Sequence, residues 1–100
     1  MSHTEQYIEA QAAANELVDV PQLVTYIIQD GIDHGASDIH IEPWEDMTGV
    51  RVRVNGILFE VVRKGLLHIQ EHLEKNRMLI LQVIQDRVHI IWIGDGAVEI

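Results

Sequence analysis

Three side chains able to hold a metal or move a proton alternate along Ser37-Asp38-Ile39-His40-Ile41-Glu42-Pro43. On a strand, Asp38, His40 and Glu42 share one face and offer two carboxylates and an imidazole. Neighbours on that face stand about 7 Å apart at Cα, wide for one small ion, so a hydrogen-bonded strand face is the better reading. His68 and His72 lie four apart, the helical spacing that clasps zinc or nickel. Glu71 between them is one position off their face and no further ligand is near in sequence, so a polar helix face competes with a metal site. His34 suits the carbonyl end of a helix. Ser2 and Ser37, the only serines, stand where caps or turns are expected, so no catalytic residue is assigned and no cofactor is expected. Trp44, in a loop among acidic residues, is either a docking anchor or a lid on the core edge.

These residues sit in a chain of 100 with 47% apolar residues, enough for one domain with a real core. Sixteen acidic residues against seven basic give a formal charge of −9, which disfavours nucleic acid and anionic lipid as partners. There is no cysteine, hence no disulfide and no thiolate metal site. The opening Met1-Ser2-His3-Thr4-Glu5 lacks the basic-then-apolar order of a signal peptide. No apolar stretch approaches the ~20 residues that span a bilayer, so membrane insertion is not expected and the cytoplasm is the expected location.

Two helices precede the first strand. Residues 4–17 form a helix with Ser2 and Glu5 at capping-box spacing, but its apolar stripe (Ile8, Ala12, Leu17) is thin, predicting loose attachment or a covering partner. The next helix is capped by Asp19, has Pro21 in its first turn and Gln22 at the reciprocal position, and repeats Leu23, Val24, Ile27, Ile28 and Ile32 at the helical period up to Gly35.

The period then changes to two. Ile39 and Ile41 oppose Asp38, His40 and Glu42, and Pro43 ends the strand. Val50-Arg51-Val52-Arg53-Val54 with Asn55-Gly56 predicts a two-residue hairpin pairing Val54 with Ile57, Val52 with Phe59 and Val50 with Val61, all facing the core. That register puts Arg51 opposite Glu60 and Arg53 opposite Leu58, leaving Arg53 without a carboxylate partner. A helix over 66–76 follows, then strands over 77–84 and 87–93. The last two would be apolar on both faces, leaving Ile80, Ile91 and Ile93 for an interface. Gly94-Asp95-Gly96 reads as a turn, and residues 97–100 as a strand cut off at its start. The organisation expected is an N-terminal helix or arm over 1–18 and an α+β domain over 19–100. In it, a helix is followed by a mostly antiparallel sheet with a middle helix.

Gly35-Ala36-Ser37-Asp38-Ile39-His40-Ile41-Glu42-Pro43, followed by Arg51-Val52-Arg53-Val54-Asn55-Gly56-Ile57-Leu58, resembles the secretion-superfamily ATPases of type II secretion and type IV pilus assembly. The likeness is to the PAS-like domain that precedes their motor domain, and it is dense over 19–62. It implies a PAS-like fold and, for Arg51 and Arg53, contact with nucleotide phosphates held by a motor domain through guanidinium forks. The competing assignment for Arg51 is an exposed pair with Glu60, worth ~0–1 kcal/mol. This chain has Asn55 where the family has Asp, and it lacks the charged segment before the last hairpin. It also has no G-x-x-x-x-G-K-[ST] phosphate loop, so it is not expected to be an ATPase by itself. The function expected is a non-catalytic interaction or regulatory domain that docks on a motor domain, on another machine component, or on itself. The alternatives are a self-associating structural domain that has lost its ancestral role and a small-ligand sensor.

Overall fold

A computed structural model of the chain describes residues 2–43, 48–64, 69–85, 87–94 and 98–100. Helix α1 (His3–Ala13) starts where Ser2 Oγ accepts the amide of Glu5, and α2 (Val20–Asp33) where the Asp19 carboxylate accepts the amide of Gln22 at 3.1 Å. Both starts match the sequence signals, because a side-chain oxygen satisfies an amide the helix leaves open. Strands β1 (Asp38–Pro43), β2 (Thr48–Val54) and β3 (Ile57–Lys64) follow, then α3 (Ile69–Lys75), α4 (Arg77–Ile84), β4 (His89–Trp92) and β5 (Val98–Glu99). The architecture is α+β: one sheet in the order β3-β2-β1-β4-β5, antiparallel except for the parallel β1–β4 pair.

One face of this sheet carries the core. Ile39, Ile41, Val50, Val52, Ile90, Trp92 and Val98 are buried there against Leu23, Val24, Ile27 and Ile28 of α2, Ile69 and Leu73 of α3, and Ile80 and Ile84 of α4. Helix α2 comes close to β1 at Gly31, where a Cβ would stand 2.5 Å from Ile39 Cδ1. Helix α1 is not loosely held. The carboxylate of Asp30, 1% exposed, accepts the amides of His3 (2.8 Å) and Thr4 (2.9 Å) and the Thr4 hydroxyl (2.5 Å). An acid of α2 thus closes the amide end of α1, where the helix dipole favours negative charge. Tyr7 rests on Tyr26 at 5.2 Å between centroids, and its hydroxyl accepts the Asp19 amide.

Three expectations fail, each for a physical reason. Residues 77–84 are helix α4, not a strand: Ile80 and Ile84 fit helical spacing as well as alternation, and Asn76 to Leu81 is rich in good helix formers. The doubly apolar hairpin therefore does not exist. Ile80 is buried at 5% exposure, not at an interface, Ile91 is half-buried on β4, and Ile93 is exposed. With 77–84 helical, the chain crosses over through α3 and α4 and lays β4 parallel to β1.

The hairpin keeps its predicted pairs at Val54–Ile57, Arg53–Leu58, Val52–Phe59 and Arg51–Glu60, through a turn whose Asn55 and Gly56 have φ of 52° and 82°. Beyond that the register shifts. Val50 pairs with Val62 instead of Val61, which stands as the extra residue of a bulge. The six hairpin residues are not all buried either. On the outermost strand Ile57 and Phe59 are 60% and 49% exposed, because α2, α3 and α4 cover the centre of the sheet and α1 reaches this edge without closing over it, leaving a groove between its first turn and Phe59.

Gly31→Ala should destabilise the fold by about 1–2 kcal/mol in urea melts: overpacking against Ile39 outweighs the helix-propensity gain. In an Ile39→Ala background, which removes both the Cδ1 and the Cγ1 (2.8 Å) that the new Cβ would strike, the same change should no longer destabilise.

Candidate functional site

The outer face of the sheet brings Asp38, His40 and Glu42 of β1 beside Arg51 and Arg53 of β2, since Asp38 pairs with Arg53 and His40 with Arg51 across the ladder. Strand alternation alone achieves this: the isoleucines and valines between them are drawn to the core, and the polar set must face away.

Asp38 is the centre of the set. Its carboxylate accepts from the Ser37 hydroxyl (2.6 Å), from Arg53 Nε (3.3 Å) and from His40 Nε2. Burial pushes its pKa up, but the hydrogen bonds from Ser37 and His40, the charge of His40 and the hydrogen bond from Arg53 together hold it below the ordinary aspartate value. Arg51 Nη2 donates to Glu42, so the ion pair of Arg51 lies on β1 and not with Glu60 opposite it on β3. Arg53 also differs from expectation: it has a carboxylate partner in Asp38, and its Nη1 donates to the Gly56 carbonyl at 3.0 Å. His40 Nδ1 and Arg51 Nε are buried without a hydrogen-bond partner.

This geometry orients two guanidinium groups one strand step apart, each fixed on one side by a carboxylate and each about a third exposed. A clamped guanidinium keeps further N–H donors for an anion in front of the sheet. Asp38, His40 and Glu42 are occupied with ion pairs, which suits the strand-face reading over the metal reading. Among the described residues no group of three or more His, Asp or Glu side chains has the geometry to hold a metal ion. His72 Nδ1 and carbonyl both lie near the Asn76 amide, at 3.1 and 3.0 Å. His68 and Trp44 lie outside the described residues.

The sequence reading missed Asp30. Its signal was present: position 30 falls three residues after Ile27 and seven after Leu23, inside the apolar stripe of α2. A carboxylate on a core face demands a donor set. The described residues include no helix long and apolar enough to cross a membrane.

Asp38→Asn should lower stability at neutral pH. Since folding lowers the pKa of Asp38, its contribution is complete above the unfolded value of about 4. It fades as pH falls from there through the folded value, so the stability curves of the two proteins should converge in acid, as read by urea melts across pH.

The chain matches the family profile described as Type II/IV secretion system protein over residues 13–87. The Type IV pilus assembly ATPase PilB of Myxococcus xanthus is 43% identical over 56 residues, which is 56% of this chain and 10% of that protein. Type II secretion system protein E of Xanthomonas campestris pv. campestris is 45% identical over 53 residues, 53% of this chain and 9% of that protein. PilB of Pseudomonas aeruginosa is 38% identical over 55 residues, 55% of this chain and 10% of that protein. The chain therefore matches about a tenth of the length of these curated relatives, and no solved structure matches it. With the profile running from the last residue of α1 through α2, β1, β2, β3 and α3 to just past α4, the chain belongs to the family of type II/IV secretion system proteins.

Proposed function

We propose that this chain is a non-catalytic docking domain of a type II secretion or type IV pilus machine, seated against the ATPase of that machine. The observation that carries the reading is on β3. Phe59 and Ile57 are turned to solvent on the outermost strand, and Phe59 walls a groove of about 570 Å³ with Val52, Val54, Val61, Ser2, Glu5 and His34. Apolar surface of this kind on an otherwise acidic domain is what a protein partner covers. Both PilB relatives carry the name ATPase, which makes that component the partner of choice. Non-catalysis is supported by the sequence, which has no glycine-rich loop ending in Lys and Ser or Thr to cradle a nucleotide's phosphates.

Tagged chain, expressed in cells that carry such a machine, should recover its ATPase, and Phe59→Asp should cut recovery about tenfold, the effect of charging a buried anchor. Recovery of no component of the machine by the unaltered chain would overturn the reading.

A second reading is favoured by the clamped arginines: Arg51 and Arg53 reach phosphates of a nucleotide held by the docked ATPase. Carboxylate clamping sets their direction in advance, which lowers the ordering cost of binding. With ATPase and chain together, Mg-ATP should raise the melting temperature of the complex, and Arg51→Gln with Arg53→Gln should abolish the chain's share of that rise. An identical rise with the double variant would dismiss the arginines from this role.

A further inference from the structure

The groove beside Phe59 has two unlike walls. On the sheet side Val52, Val54, Phe59 and Val61 are apolar. On the helix side stand Ser2 and Glu5 at the start of α1 and His34 at the end of α2. A segment that fills the groove must match both.

The helix wall selects for positive charge. An anion at the start of α1 would need open amides, and these are taken. Asp30 accepts those of His3 and Thr4, Ser2 Oγ that of Glu5 at 3.0 Å, and the Ser2 carbonyl that of Gln6. The half-buried Glu5 carboxylate, by contrast, has no ion pair among the described residues. His34 Nδ1 lies 2.6 Å from the Asp30 carbonyl, which can only accept, so Nδ1 carries the proton and the neutral ring leaves Nε2 as an acceptor. The last turn of α2 has no basic residue to offset its carbonyl end. The surrounding surface has the same sign. All seven Lys and Arg residues lie at position 51 or beyond, and ten of the sixteen acidic residues lie before it. Neither helix of this wall carries a Lys or Arg.

We infer that the groove takes a basic, apolar segment of the partner protein. Its leucine- or phenylalanine-type side chains lie on Phe59 and Val61, and a neighbouring Lys or Arg donates to Glu5 and to the His34 ring. This rests on the docking reading above and gives the chemistry of the partner at that site. An acidic segment gains nothing from the helix wall, and a basic segment without apolar side chains leaves Phe59 in water. The acidic layer of α1 and α2 also steers a basic segment towards the groove.

The test uses the full chain and three labelled peptides of equal length, read by fluorescence anisotropy at about 0.15 M salt. One alternates Leu with Lys, the second has Glu for each Lys, and the third has Ser for each Leu. The Leu-Lys peptide should bind at least about tenfold more tightly than either of the others. Phe59→Ser should weaken it about tenfold and Glu5→Gln about three- to fivefold. Circular dichroism should report an unchanged fold, since Phe59 is half exposed and Glu5 enters the cap of α1 through its amide and not its carboxylate. Raising the salt to about 0.5 M should erase the effect of Glu5→Gln and leave that of Phe59→Ser. Equal binding of the Ser peptide would reduce the contact to charge alone and overturn the inference. So would binding of the Glu peptide as tight as that of the Leu-Lys peptide, indifference to both variants, or self-association of the chain that is lost on Phe59→Ser. No ATPase enters these measurements, so their failure leaves the docking reading to the recovery experiment. If recovery fails while the Leu-Lys peptide binds through Phe59 and Glu5, the ATPase falls as partner and the chemistry of the groove stands.

Discussion

The contact of α2 with β1 at Gly31 sets the geometry of everything else. A helix normally rides on a sheet at the distance its side chains impose. Here one residue without a side chain lets Ile39 push into the helix surface. That depth leaves Leu23, Ile27 and Ile39 almost without solvent contact and fixes the height of β1, on which β2 and β4 both depend. One residue earlier, Asp30 uses the same turn of α2 to secure α1. Two adjacent positions on one helix thus tie together the sheet below and the helix beside it.

The outer face follows from the inner one. Once Ile39, Ile41, Val50 and Val52 are committed to the core, the residues between them have no choice of side, and opposite charges on β1 and β2 meet across the ladder. Their pairing has a cost in desolvation that only good geometry offsets. The multiple hydrogen bonds to Asp38 supply that geometry. The arrangement ties the outward side chains of β1 and β2 to one another across the ladder.

What was legible in the sequence was whatever local chemistry decides. Ser2, Asp19 and Asn55-Gly56 marked helix starts and the hairpin because each satisfies or permits a backbone conformation within a few residues. The strand Asp38–Pro43 and its two faces were legible from alternation. The residues from Arg77 to Ile84 were misread because a uniformly apolar run has no period to read: Ile80 and Ile84 satisfy both geometries, and only the tertiary demand for a crossover between parallel strands chooses the helix. The partners of Arg51 and Arg53 were missed for a related reason. The hairpin places β3 beside β2 by sequence proximity, but the opposite neighbour, β1, supplies the carboxylates. The family link, by contrast, rested on residues of β1 and β2 whose order is itself the fold, and it held.

The extra residue at Val61 has a consequence for the behaviour of the protein at high concentration. An outermost strand of eight residues with bare backbone donors and acceptors is a template on which further chains can stack without limit. By throwing the two halves of that strand out of step, the bulge leaves no straight run long enough to propagate a fibre. The domain can therefore keep an oily, unprotected rim without becoming a seed for amyloid.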